Sequence, residues 1–351
     1  MKTLPFLAKF FVLNPHQKLY FCTKQNYFMD FLDQYQEIVA QAIEKYTFKE
    51  QPSELYEPMN YIISHGGKRL RPIMVLMGCK LFDGDIERAL KPALAIEFFH
   101  NFTLIHDDIM DEAPLRRNKP TIHTLHGLNV GILSGDALLI KAYQFFDDLE
   151  YGLFKECIKV FSKTGAVLCE GQQQDVNFET QENVTYDDYI QMITNKTGVL
   201  SAASFKIGAM IAGASDENSE KLYNFGKHIG IAFQIMDDYL DVFGDMAQFG
   251  KRQAGDIYEN KKTVLYLLAM EKADEGERKE LEHWYSKKTD NIDKIHGVIK
   301  IFRRTKIDEK VLRLIQKHNE IGQDYLNSID LPEEKKRPFR ELANYLLRRE
   351  S

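Results

Sequence analysis

Apolar residues recur at three- and four-residue intervals through most of this chain, and the alternation expected of half-buried strands is almost missing. That period turns one helical face toward a core in segment after segment: 89–110, 131–146, 186–213, 218–243 and 262–270. The stretch 275–349 is strongly charged yet keeps its apolar residues at the same spacing. Loop-like breaks fall at 82–85, 178–185, 213–218 and 243–256. A length of 351 residues suggests about two domains. No Pro-, Gly- or Ser-rich linker and no fixed-period repeat divides the chain, however. The pattern predicts one all-α domain, a bundle of helices around a deep central cavity.

The ends and the totals exclude several classes. Residues 1–28 carry a short apolar run split by Lys9 and lack a small-x-small cleavage site. Met29 directly precedes a good amphipathic helix, so 1–28 reads as a peripheral extension or as the product of a start site placed too early. The working domain is then 29–351. A net charge of -6 argues against a nucleic-acid surface. No apolar run is long enough to span a membrane; the nearest, 198–214, is interrupted by Lys206. Cys22, Cys79, Cys157 and Cys169 show no CxxC spacing, which suits free thiols in a reducing cytoplasm.

Two acidic clusters interrupt the apolar helices. In "HDDIMDEAPLRR" (106–117), Asp107 and Asp111 are four apart and share a helical face, with Asp108 about 100° round. The same stripe runs back through Thr103 to His100, and Pro114 is expected to close the helix. "QIMDDYLD" repeats the spacing with Asp237, Asp238 and Asp241, one turn after Gln234. Both clusters are near helix C-termini, where the dipole disfavours anions. Divalent cations would relieve that cost, and hard oxygen ligands without thiolates suit Mg²⁺, which commonly shares phosphate oxygens of a substrate. A lone DDxxD is most often a solvated helix end. Two copies about 130 residues apart, each inside an apolar helix, are not explained that way.

Basic residues stand beside these clusters. Lys68, Arg69 and Arg71 follow a Gly66–Gly67 turn in "GGKRLRP". Arg116 and Arg117 follow the first cluster, Lys196 and Thr197 lie in "NKTG", and Lys251, Lys261 and Lys262 follow the second. Any one alone would be surface charge. Together with the carboxylates they indicate an α-helical, Mg²⁺-dependent enzyme acting on more than one diphosphate substrate.

From about Met29 onward the chain resembles the trans-isoprenyl diphosphate synthases, or polyprenyl synthetases, of short-chain type. GGKRLRP, HDDIMD with RR, the GQxxD residues Gly171, Gln172 and Asp175, then KTG, FQxxDDYLD and GKxxxGDxxxxKKT occur in the family's order. The resemblance implies a single isoprenoid-synthase bundle, a homodimer, that joins isopentenyl diphosphate head to tail to an allylic diphosphate. It implies that Asp107, Asp111 and Asp237 ligate three Mg²⁺ ions (Mn²⁺ as a substitute), with Asp108 and Asp241 supporting. Arg116, Lys196, Thr197, Gln234, Lys251 and Lys261 would surround the allylic diphosphate. Lys68, Arg71, His100 and Arg117 would hold the isopentenyl diphosphate. The family sets product length with residues four and five before the first aspartate, here Thr103 and Phe102. A bulky Phe102, a small Thr103 and no two-residue insertion resemble the C20 pattern, with C15 next. A terpene cyclase of the same fold needs only one diphosphate site, which leaves Lys68, Arg71 and His100 unexplained. A non-catalytic partner subunit would be expected to have lost aspartates, and both clusters are intact.

Overall fold

The three- and four-residue apolar period is realised as sixteen α-helices among the described residues. The computed structural model describes residues 15–244, 254–287, 289 and 291–347, with side chains from residue 29 onward. α1 (Pro15–Lys45) passes through Met29 without a break, and α2 (Ser53–Ser64), α3 (Leu70–Leu81) and α4 (Ile86–Met110) follow. A hairpin of β1 (Leu115–Arg116) and β2 (Lys119–Pro120) leads into α5 (Ile122–His126), α6 (Leu128–Gln144) and α7 (Tyr151–Thr180). Next come α8 (Tyr186–Ile193), a π-helical turn (Thr194–Gly198), α9 (Val199–Ile211) and α10 (Asp216–Phe243). The chain ends in α11 (Gly255–Tyr258), α12 (Val264–Lys272), α13 (Glu275–Tyr285), α14 (Ile292–Arg304), α15 (Ile307–Asn327) and α16 (Glu333–Leu347).

α9 is the axis of the bundle. Every residue from Val199 to Phe205 is buried, so this helix has no solvent face there. It packs against α3 on one side and α10 on another; α4 continues the layer from α3 to α6, and α15 covers α10. Each large apolar side chain buried in this stack contributes roughly 1.5–3 kcal/mol. The result is a rigid frame on which α4 and α10 carry the two acidic clusters. Among the described residues, no helix is long and apolar enough to cross a membrane. Cys79 and Cys157 are buried free thiols, and Cys169 is an exposed one.

Local structure departs from the sequence expectation in four places. The expected helix 186–213 is three pieces, because a π-helical turn interrupts it at "TNKTG". α4 stops at Met110 rather than at Pro114. Glu112 adopts a left-handed conformation (φ 49°), and Ala113 N–H donates to the Asp108 carbonyl at 2.9 Å, which ends the helix before proline is reached. α7 extends to Thr180, into the expected loop. The β1–β2 hairpin went unforeseen because two-residue strands are too short to alternate; its turn residues, Arg117 and Asn118, both have positive φ.

α10 and α15 also meet through two imidazoles, His228 and His318, with Nδ1 to Nδ1 at 3.1 Å. One nitrogen must donate and the other accept, so at most one ring is charged while the contact holds. Burial holds both groups down to about 4. Unfolded, they titrate near 6.5. Between those values the unfolded chain takes up protons that the folded chain refuses, so stability is present above about 6.5 and is lost as pH falls toward 4. The two shifts together amount to about 5 kcal/mol between pH 7 and 4.5, and the partial exposure of His228 discounts this, so urea unfolding is expected to show the pair costing on the order of 2–3 kcal/mol. The doubly substituted His228→Phe/His318→Phe protein should show a correspondingly flatter profile. An unchanged profile would remove the pair as the cause.

Candidate active site

The glycine turn ahead of α3 brings the first basic group into place. Gly67 has φ 121°, and a Cβ there would lie 2.7 Å from Arg117 Nη1. The turn therefore admits the Arg117 guanidinium, whose Nη1 donates to the Gly66 carbonyl. Arg69 caps α3 in a left-handed conformation, and Arg71 Nη1 lies 3.2 Å from His100 Nε2. An arginine can only donate, so Nε2 is the acceptor and the imidazole proton sits on Nδ1. Burial, then Arg71, Arg117, Arg116 and Arg69, hold the His100 pKa well below its ordinary value, so the ring is neutral at neutral pH. Lys68 is exposed, with its ammonium 4.9 Å from the Tyr345 ring centre.

The end of α4 places its three aspartates in different settings. Asp108 is buried and takes a fork from Arg116, whose Nε is 2.8 and 2.9 Å from the two carboxylate oxygens. The hairpin is what returns Arg116 to Asp108. Asp107 is partly buried, and Asp111, the C-cap residue, is exposed. Burial pushes Asp107 up to about 6, with Asp111 and Asp108 adding to the rise and Lys196 and Arg116 opposing it. One turn earlier, Thr103 donates to the His100 carbonyl at 2.8 Å. Phe102 packs edge-on between Phe99 (centroids 5.5 Å) and His106 (4.9 Å).

The π-helical turn presents Lys196 and Thr197. It lies against α7 at Gly171, where a Cβ would be 2.4 Å from Lys196 N. Lys196 Nζ pairs with Asp175 of α7. Thr197 Oγ1 donates to Gln234 Oε1 at 3.0 Å, and Gln234 Nε2 donates to Asp238 Oδ1 at 3.0 Å. Tyr189 O–H reaches the other Asp238 oxygen at 2.6 Å. Asp238 is thus buried and held by neutral donors, and burial raises its pKa well above the ordinary carboxylate range. Asp237 and Asp241 are partly buried at the outer end of α10. Asp241 Oδ2 accepts from Asp256 N–H at 3.0 Å. Lys251 lies outside the described residues.

The turn after α11 adds Lys261, 2.9 Å from Glu259 and 3.8 Å from Asp256. Burial lowers its pKa, and Asp256, Glu259 and Asp111 more than reverse that. Its neighbour Lys262 points elsewhere, donating to the Phe178 and Gln181 carbonyls at the end of α7. Only one of the two adjacent lysines therefore stands with the acidic groups. Charge interactions tie the separate elements to one space: Asp107 with Lys196, Asp111 with Lys261, and Arg71 with Asp237.

That space suits a hard divalent cation shared with a phosphate. Its donors are carboxylate oxygens without thiolates, and Asp107 is crowded by like charge at a helix C-terminus, a cost that a bound cation would remove. Among the described residues, no three His, Cys, Asp or Glu side chains are grouped to hold a metal alone. Sequence reasoning missed Glu97, Asp175 as a Lys196 partner, and Tyr189. The available signal for Glu97 was a single acid inside the apolar run "ALAIEFFHNF".

The family model for polyprenyl synthetase matches residues 52–302. The chain is 36% identical to the geranylgeranyl diphosphate synthase of Methanosarcina mazei, over 89% of this chain and 95% of that one. It is 38% identical to the geranylfarnesyl diphosphate synthase of Natronomonas pharaonis, covering 66% and 74%. The crystal structure of geranylgeranyl pyrophosphate synthetase from Pyrococcus horikoshii superposes with a TM-score of 0.87 at 32% identity, covering 93% of this chain and all of that one. With a family model over most of its length and relatives matched nearly end to end, this chain belongs to the polyprenyl synthetase family.

Proposed function

We propose that this chain is a prenyltransferase that joins isopentenyl diphosphate head to tail to an allylic diphosphate, releasing diphosphate and giving a short all-trans prenyl diphosphate, C20 in preference to C15. The observation that carries the reading is the set of charge interactions linking α3, α4, the π-helical turn, α10 and Lys261 across one space. Residues 29–351 form its catalytic domain and 1–28 a peripheral extension. It works in the cytoplasm.

Two subsites follow. Asp107, Asp111 and Asp237, supported by Asp108 and Asp241, hold the metal, with Mg²⁺, three ions, as the preferred cation and Mn²⁺ as a substitute. When bound, the cations neutralise the allylic diphosphate and make it a better leaving group. Lys196, Lys261 and Arg116 surround the same group, with Thr197 and Gln234 beside them, and stabilise the charge that grows on the leaving oxygen. Lys68, Arg71 and Arg117 grip the second diphosphate, and neutral His100 offers Nδ1–H to it. The allylic C–O electrons leave with diphosphate, the held double bond attacks the carbon so exposed, and the proton lost passes to the released diphosphate. Apolar walls exclude water that would otherwise capture the cation.

Several matched relatives are named geranylgeranyl synthases, which supports C20, as do Phe102 and Thr103. A homodimer is supported by an exposed apolar stripe on α6: Leu128, Ile132, Leu133 and Ile140. The test is a product assay with Mg²⁺, isopentenyl diphosphate and each of dimethylallyl, geranyl and farnesyl diphosphates. A C20 product is expected. Products longer than C20 would reject the length assignment, and no product from any primer would reject the reaction.

A further inference from the structure

α4 carries a second kind of acid. Glu97 is 4% exposed, ten residues before Asp107 and outside both aspartate clusters. A carboxylate so buried is costly unless it is paired and hydrogen-bonded. Arg69 Nη1 meets Glu97 Oε1, and Asn101 Nδ2 donates to the same oxygen at 3.1 Å and to the Glu97 carbonyl at 2.8 Å. The second Arg69 nitrogen, Nη2, donates to the Ile63 carbonyl. Arg69 is thus the one basic residue of "GGKRLRP" anchored inward, from a left-handed backbone position (φ 47°) at the start of α3. Arg71 Nε is buried with no hydrogen-bond partner. Glu97 is the strongest opposing charge on Arg71, and it acts on Arg117 as well.

We propose that Glu97 is the positioning residue of the isopentenyl diphosphate subsite: a fixed counter-anion, itself anchored by Arg69, that keeps the Arg71 and Arg117 guanidinium groups gathered for a diphosphate. This rests on the reading of that subsite given above. Guanidinium groups held close together repel one another, and the like-charge effect of Arg69 on Arg117 is already evident. An anion tied from behind by Arg69 and Asn101 offsets that repulsion without swinging forward to compete with the ligand. The metal-bearing subsite has no need of Glu97, so its loss should be felt by one substrate only.

Steady-state kinetics of Glu97→Gln test this. The KM for isopentenyl diphosphate is expected to rise about 30-fold, with kcat and the allylic KM within about threefold of wild type. Glu97→Asp, which keeps the charge, should recover most of the loss. Where Glu97→Gln fails to fold, because Arg69 is left buried and unpaired, Glu97→Gln/Arg69→Gln removes that charge, and its isopentenyl KM should stay raised. An isopentenyl KM within twofold of wild type in either folded variant overturns the inference. So does an equal rise in both KM values, or a folded Glu97→Asp no better than Glu97→Gln. Failure of the underlying reading is separately visible, since wild-type protein would then form no product.

Discussion

Asp107→Ala is expected to lower turnover about a thousandfold or more, while the unfolding temperature of the metal-free protein does not fall. The first half follows from position. Asp107 shares a helical face with Asp111 and interacts with Lys196 of the π-helical turn, which in the proposed reaction puts it beside the departing diphosphate. Losing one of the few carboxylates proposed to hold a cation there would remove stabilisation that matters most as the C–O bond breaks. The second half follows from cost. Asp107 is partly buried, with Asp108 and Asp111 beside it at the C-terminal end of α4. Its charge is disfavoured in the empty site, so its removal takes away strain rather than support. Turnover of the purified variant, with thermal unfolding in EDTA, checks both halves. Retained activity would displace Asp107 from the metal set, and a clear loss of stability would mean that its role is structural.

Phe102→Ala is expected to lengthen the product beyond C20 while condensation continues. Phe102 lies five residues before Asp107 and is 9% exposed, wedged between Phe99 and His106. If Phe102 forms part of the floor proposed above, removing its ring leaves room for a longer chain. The variant should lose on the order of 3 kcal/mol of stability, as Phe-to-Ala core truncations do, and still fold. Thr103 is the competing floor position because the helical period places it beneath Asp107. Its hydroxyl is bonded back to the His100 carbonyl, and it is buried too, so Thr103→Phe should shorten the product toward C15. Mass spectrometry of the products decides between them. An unchanged C20 product from Phe102→Ala together with a C15 product from Thr103→Phe would assign the floor to Thr103 alone.

Much of this molecule follows from one-dimensional information. The 3.6-residue period specifies helices because a helix must bury one face, and that rule operates within a single segment. The spacing of Asp107 and Asp111 places both carboxylates on one side for the same reason. Tertiary structure decided which groups meet. Local spacing cannot show that Arg116 folds back through a hairpin onto Asp108, or that Lys262 caps α7 while Lys261 stays with the acids. It cannot show that α7 crosses the π-helical turn at Gly171, since that contact joins residues far apart in the chain. Glu97 marks the difference most clearly. In sequence it is one acid in an apolar run. In the folded chain, the low dielectric around it requires partners, and Arg69, brought from another segment, answers that requirement together with Asn101.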